Sequence, residues 1–151
     1  MEIGQPVPDF TLQNQHGESI TLSSYQGRSN VVLVFYPFAF SRVCTGELCE
    51  IRDNLDDFTT AAAEVLAISC DHFFSLRAYA EQDGYTFSLL SDFWPHGEVS
   101  RALDQFDEEV GCSTRATMIL DRAGILRWQV RNAIPDARKL DDYRRVLNDL
   151  S

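Results

Sequence analysis

The chain has 151 residues, a length suited to one domain with a real core, and 44% of them are apolar, as in an ordinary globular protein. Its 23 acidic residues against 13 basic ones give a net charge of −10, which argues against nucleic acid and anionic membranes as partners. No apolar run approaches transmembrane length, and Met1-Glu-Ile-Gly-Gln-Pro lacks the basic and apolar regions of a signal peptide, so a cytoplasmic setting with reduced thiols is expected.

Along the chain, Phe10-Thr-Leu and Ser19-Ile-Thr-Leu22 flank Asn14-Gln-His-Gly17 and read as an N-terminal β-hairpin. Ser23 to Gly27 reads as one helical turn. Val31 to Tyr36 is a run of six apolar residues with the length and β-branched content of a strand buried on both faces. Pro37 stops that strand, since proline has no N–H for the ladder. Apolar residues then recur at Leu48, Ile51, Leu55 and Phe58, which predicts a helix over about 42–58 with one buried face.

Val65 to Ser69 is a second buried strand, and strand–helix–strand order implies a parallel pair. Phe73, Leu76 and Ala80 predict a helix over 73–82 that ends near Gly84. Val99, Ala102, Leu103 and Phe106 predict another at i, i+3, i+4, i+7 spacing. Ala116–Leu120 and Ile125–Val130 form a hairpin through Asp121-Arg-Ala-Gly124. Leu140, Tyr143, Val146, Leu147 and Leu150 mark a closing helix. With no repeat, linker or low-complexity tract, the expectation is one α/β domain over residues 1–151.

The four cysteines lie at positions 44, 49, 70 and 112 without a C-x-x-C pair, so a structural zinc site has poor support. His16, His72 and His96 lack metal-ligand spacing and are expected to be solvated; no metal and no cofactor is called for. Cys44 stands apart. Ser41 is a plausible N-cap for the helix after Pro37, which places Cys44 in its first turn. A thiol there meets unpaired backbone N–H groups at the positive end of the helix dipole, which favours thiolate. Cysteine is also a small, often buried hydrophobe, and Cys44 shares the stripe of Leu48 and Ile51.

Pro37-Phe-Ala-Phe-Ser41-Arg-Val-Cys44 resembles the P-x-x-x-[TS]-x-x-C motif of peroxiredoxins, thiol enzymes that reduce peroxides. Pro8-Asp-Phe-Thr-Leu12, Thr114-Arg115 before Ala116–Asp121, and Asp121-Arg-Ala-Gly124-Ile are similar to further family segments. Ser91-Asp-Phe-Trp-Pro-His-Gly97 resembles the AhpE-type branch in particular. The resemblance spans essentially the whole chain. It implies a thioredoxin-like fold, in which a central mixed β-sheet is flanked by helices and preceded by the β-hairpin.

It also implies roles for four residues. Cys44 is the thiol that attacks hydrogen peroxide, organic hydroperoxides or peroxynitrite and becomes a sulfenic acid. Ser41 and Arg115 supply donors to the peroxide oxygens, and Pro37 shapes and shields the loop. On the residues alone, Ser41 could simply cap a helix, and Arg115 could pair at the surface with Glu108 or Glu109. Glu47, one turn after Cys44, could orient Arg115 or be an ordinary helix-face carboxylate.

Cys49, five residues after Cys44, matches the spacing of the resolving cysteine in the PrxQ-like, or bacterioferritin-comigratory, branch. On the helical wheel it lies roughly 140° from Cys44, off the apolar stripe and exposed; a neutral surface position is the alternative. Cys70 is expected to be packing and Cys112 a weaker resolving candidate in a loop. Trp94-Pro95 reads as a packing or interface element. The reductant implied is thioredoxin or a low-molecular-weight thiol with a glutaredoxin-like protein, and a homodimer is expected because Phe38, Phe40, Phe93 and Trp94 crowd loop positions. The competing reading is a redox sensor or thiol-disulfide relay that passes oxidation to a partner.

Overall fold

The computed structural model describes residues 1–132 and 140–150. Strand β1 (Thr11–Gln13) and β2 (Ser19–Thr21) form the hairpin, followed by a 3-10 turn at Leu22–Tyr25. Then come β3 (Asn30–Phe35), α1 (Arg42–Asp53), α2 (Leu55–Thr60), β4 (Ala63–Ser69), α3 (Phe73–Asp83) and β5 (Ser88–Ser91). The chain continues through α4 (Glu98–Ala102), β6 (Phe106–Asp107), β7 (Cys112–Ser113), β8 (Arg115–Leu120), β9 (Leu126–Asn132) and α5 (Leu140–Asp149). Seven strands make one mixed sheet in the order β2-β1-β5-β4-β3-β8-β9, and β6 pairs with β7 beside it.

β3 runs parallel to β4 and antiparallel to β8, and all six of its residues are buried, as its continuous apolar run requires of a central strand. Its side chains alternate between two cores. Val32, Val34 and Tyr36 face a layer built with Leu48, Ile51, Phe58, Leu76, Tyr79 and Tyr143 from the helices, and Cys44 is part of this layer. Val31, Leu33 and Phe35 face the other side, with Val99, Leu103 and the N-terminal segment. Strand–helix–strand connections β3-α1-α2-β4 and β4-α3-β5 give the parallel half of the sheet.

Three expected elements differ from those observed. The helix expected over 42–58 is two helices, because Asn54 leaves helical geometry and returns its carboxamide to the Glu50 carbonyl at 2.8 Å. The helix drawn through Phe106 stops at Ala102. Asp104 enters the left-handed region at φ 60°, and Asp104 and Gln105 donate N–H groups to the Arg101 and Ser100 carbonyls, a Schellman-type end. Phe106 therefore belongs to β6 rather than to the helix face. In α3 the buried face is Leu76, Tyr79 and Ala80, with Phe73 only half-buried, and Gly84 closes the helix in the left-handed conformation. β5 has no sequence signature of its own; the buried Gln15 carboxamide pins its approach by bonding the Phe87 carbonyl at 3.0 Å and the Leu89 N–H at 2.9 Å.

Candidate active site

Pro37 is buried immediately after β3, and the chain bends there into a short loop. Asp71, just past β4, anchors that loop: its carboxylate accepts the Ala39 N–H at 2.9 Å and the Ser69 hydroxyl at 2.7 Å. Phe40 takes φ 67°, a left-handed turn that sets Ser41 at the N-cap of α1. The first helical bond runs from the Thr45 N–H to the Ser41 carbonyl at 2.9 Å, so Cys44 lies among the N–H groups that an α-helix start leaves without an intrahelical acceptor.

Ser41 holds the cap position but makes no cap bond; its Oγ is buried and without a hydrogen-bond partner among the described residues. A buried, unpaired hydroxyl is costly, by about 1–3 kcal/mol, and such an atom marks a place where a ligand oxygen would be welcome. Cys44 itself is completely buried.

Arg115 opens β8, the strand on the far side of β3 from β4, and its side chain reaches back under α1. Its Nη2 donates to Cys44 Sγ at 3.4 Å and its Nη1 to Glu47 Oε1. Both partners of that ion pair are buried, with 2% and 3% side-chain exposure. The surface pairing considered for Arg115 does not occur: Glu108 is held at 3.2 Å by Arg101. Of the two readings open for Glu47, the structure supports the orienting one. Glu47 and Cys44 project from successive positions of one α1 face toward the same guanidinium, which a three-residue helical offset makes possible.

The other cysteines separate clearly. Cys49 is half-buried rather than exposed: it packs against the helical core layer, with Sγ 3.5 Å from the Tyr85 hydroxyl. α1 is continuous through both Cys44 and Cys49, and both thiols are free. Cys70 is buried, 3.5 Å from Ser113 Oγ, and burial pushes its thiol up. Cys112 lies in β7 rather than in a loop; it is fully buried, and burial above all pushes its thiol up to about 11. Neither environment favours a nucleophile at neutral pH.

Two of the histidines, exposed to solvent in full or in part as expected, also have a partner. Half-buried His72 caps α3 by accepting the Phe74 N–H at 3.1 Å, and exposed His96 Nε2 lies 2.7 Å from the Gly111 carbonyl. Trp94 is 83% exposed, which removes the packing reading for it; Phe38, Phe40 and Phe93 are also substantially exposed. Sequence reasoning missed the Asp71 anchor and the Tyr79 and Tyr85 hydroxyls that meet Thr45 and Cys49, all of them contacts between distant segments.

Among the described residues no helix is long and apolar enough to cross a membrane. The chain matches the AhpC/TSA family over residues 3–129. It is similar to alkyl hydroperoxide reductase E of Mycobacterium tuberculosis, with 45% identity over 128 residues that cover 85% of this chain and 84% of the relative. It is also similar to the chloroplastic peroxiredoxin Q of Populus jackii, with 34% identity over 97% of this chain and 68% of the relative. Among solved structures it superposes on peroxidoxin BcpB from Mycobacterium tuberculosis with a TM-score of 0.89 and 27% identity, covering 100% of this chain and 99% of that one. A reduced 2-Cys peroxiredoxin of Plasmodium vivax gives the same TM-score of 0.89 at 24% identity, over 98% and 81% of the two chains.

Proposed function

The chain belongs to the AhpC/TSA family and is a thiol-dependent peroxidase, and on that premise we propose that Cys44 is its peroxide-reducing thiol and Cys49 the thiol that resolves it. The observation that carries this reading is the Arg115 guanidinium, fixed by buried Glu47 and 3.4 Å from Cys44 Sγ. The Cys44 thiolate attacks one oxygen of R–O–O–H; the S–O bond forms as the O–O bond breaks. Sulfur is oxidised by two electrons, and the departing alkoxide takes a proton to leave as the alcohol. Negative charge moves from sulfur to the leaving oxygen, so a fixed cation beside the thiol stabilises both ends of that path. The buried Ser41 hydroxyl supplies a neutral donor, the Cys44 N–H a backbone one, and Pro37 with its loop keeps water away.

The sulfenic acid on Cys44 then condenses with Cys49, and the disulfide is returned to dithiol by thioredoxin or by a low-molecular-weight thiol with a glutaredoxin-like protein. The exposed Phe38, Phe40, Phe93 and Trp94 support a homodimer that covers them. Four free thiols with no structural bridge fit a cytoplasmic setting, where thiols are kept reduced. Peptide mapping by mass spectrometry after one equivalent of hydrogen peroxide tests the reading. A Cys44 sulfenic acid followed by a Cys44–Cys49 disulfide is expected; a persistent sulfenic acid beside a free Cys49 would make this a one-cysteine enzyme.

A further inference from the structure

Cys49 sits in a small polar clasp between α1 and α3. The Tyr85 hydroxyl lies 3.5 Å from Cys49 Sγ and 3.4 Å from the Thr45 carbonyl oxygen. Thr45 is held a second time, through its own hydroxyl, by Tyr79 Oη at 3.0 Å. The two rings pack edge to face at 5.1 Å, and both tyrosines are almost wholly buried. One hydroxyl thus touches the backbone next to Cys44 and the sulfur one helical turn beyond it. The i→i−4 pattern of α1 commits the Thr45 carbonyl to the Cys49 N–H as well, so Tyr85 reinforces the turn that separates the two cysteines.

We propose that Tyr85 is a positioning residue for the resolving step, holding the Cys49 thiol docked while α1 is intact and donating to the Cys49 thiolate when that sulfur attacks. The inference rests on Cys49 as the resolving cysteine. In the docked state the thiol S–H donates to the Tyr85 oxygen and the Tyr85 O–H donates to the Thr45 carbonyl. When Cys49 loses its proton to solvent, the same O–H turns to the sulfur. The thiolate attacks the sulfur of the Cys44 sulfenic acid; the S–S bond forms, the S–O bond breaks, and the departing hydroxide takes up a proton as water. The thiolate's electron pair becomes the S–S bond, so Cys49 sulfur is formally oxidised and Cys44 sulfur reduced by one level each, with no further reagent.

The surroundings leave this role to Tyr85. Burial, together with the Cys49 and Tyr79 contacts, holds the Tyr85 hydroxyl far above its ordinary value, so it remains a donor at any working pH. Tyr79 is pushed up to about 12, chiefly by burial, and its hydroxyl is 3.0 Å from Thr45 Oγ1. Arg52 on α1 extends its field to Cys49, but its guanidinium is engaged by the Asp53 carboxylate at 2.9 Å and by the Asp83 carbonyl. Of the other charged groups on these elements, Glu50 follows Cys49 on α1 and is exposed, and Asp83 at the end of α3 acts on Tyr79.

The test is the pH profile of disulfide formation in single turnover, quenched with acid and an alkylating thiol reagent, for the wild type, Tyr85→Phe and Tyr79→Phe. Tyr85→Phe is expected to move the half-maximal pH up by about one unit, with disulfide formation at neutral pH about tenfold slower, the scale of one hydrogen bond to a charged group. Its high-pH plateau should match or exceed the wild type, because the docking bond is gone. The preceding burst of Cys44 oxidation serves as the internal control. A purely structural role would slow the step equally at every pH, and that result, or an equal shift in Tyr79→Phe, would overturn the proposal. Should Tyr85→Phe fail to fold, 3-fluorotyrosine at position 85 keeps the shape with a stronger donor. It must move the half-maximal pH down, and an unmoved profile refutes the role. A wild type that forms no Cys44–Cys49 disulfide removes the resolving assignment and this inference together; a disulfide with an unshifted profile removes only Tyr85.

Discussion

Gly46→Ala should slow disulfide formation without touching the reaction with peroxide. Residues five apart in an α-helix have Cα atoms roughly 8–9 Å apart on different faces, beyond the ~7 Å span of a disulfide. Cys44 and Cys49 lie in one continuous α1, so the first turns must unwind before the two sulfurs meet. Gly46 lies between them on the exposed surface, and a Cβ built there meets nothing within 4 Å. Alanine therefore enters without steric offset, and the full propensity difference of about 0.8–1.0 kcal/mol stabilises the wound helix over the unwound one.

At about 1.4 kcal/mol per factor of ten, that makes the unwound form about four- to fivefold rarer. The same substitution should raise the melting temperature by about 2–4 °C in a chain of this size. Rapid-quench mapping after one equivalent of hydrogen peroxide reads both steps: sulfenic acid at Cys44 should appear at the wild-type rate, and the disulfide four to five times more slowly. A variant that is measurably stabilised yet closes its disulfide at the wild-type rate would refute the requirement for unwinding.

Cys44→Ser is expected to abolish peroxide turnover with a thiol reductant, while Cys70→Ser, which alters only a packed thiol beside Ser113, stays near wild type. Arg115→Ala should slow stopped-flow oxidation of Cys44 by about a hundredfold or more, the scale of one lost transition-state donor, and Arg115→Lys should recover only part, since an ammonium cannot span Glu47 and the sulfur as the guanidinium fork does. Cys49→Ser should react with the first equivalent at full speed, then accumulate sulfenic acid and pass to sulfinic acid under excess peroxide, as intact-mass spectrometry would show. Light scattering at micromolar concentration should give the mass of two chains; a single-chain mass would leave Trp94 and its neighbouring phenylalanines without a partner.

What the sequence revealed follows the range of the forces involved. The Pro37–Cys44 frame was legible because it is local: a buried strand, a residue that ends its ladder and a helix start occupy fifteen consecutive positions, from Asn30 to Cys44. Arg115 was legible only through the resemblance, since nothing in Thr114-Arg115-Ala116 separates a guanidinium buried under α1 from one paired at the surface. The break at Asn54 and the stop at Asp104 escaped the apolar periodicity because each turns on one polar side chain or one left-handed residue, which leaves the spacing of hydrophobic residues intact. The wheel angle correctly set Cys49 away from Cys44 but could not say what lies opposite it.

The partner of Cys49 is Tyr85, 36 residues further on, brought there by α3 crossing the same sheet face. Thr45 binds both tyrosines, one through its hydroxyl and one through its carbonyl, so the turn that the proposed disulfide would open is fastened from outside the helix. The two half-reactions therefore depend on different levels of structure. On the proposed assignment, attack on peroxide rests on one short segment and a single distant arginine, and it should tolerate substitution in α1 beyond Glu47. With Cys49 as the proposed resolving thiol, resolution would depend on how firmly Tyr79 and Tyr85 hold α1, so substitutions at that contact should tune the lifetime of the sulfenic acid while leaving the first reaction with peroxide alone.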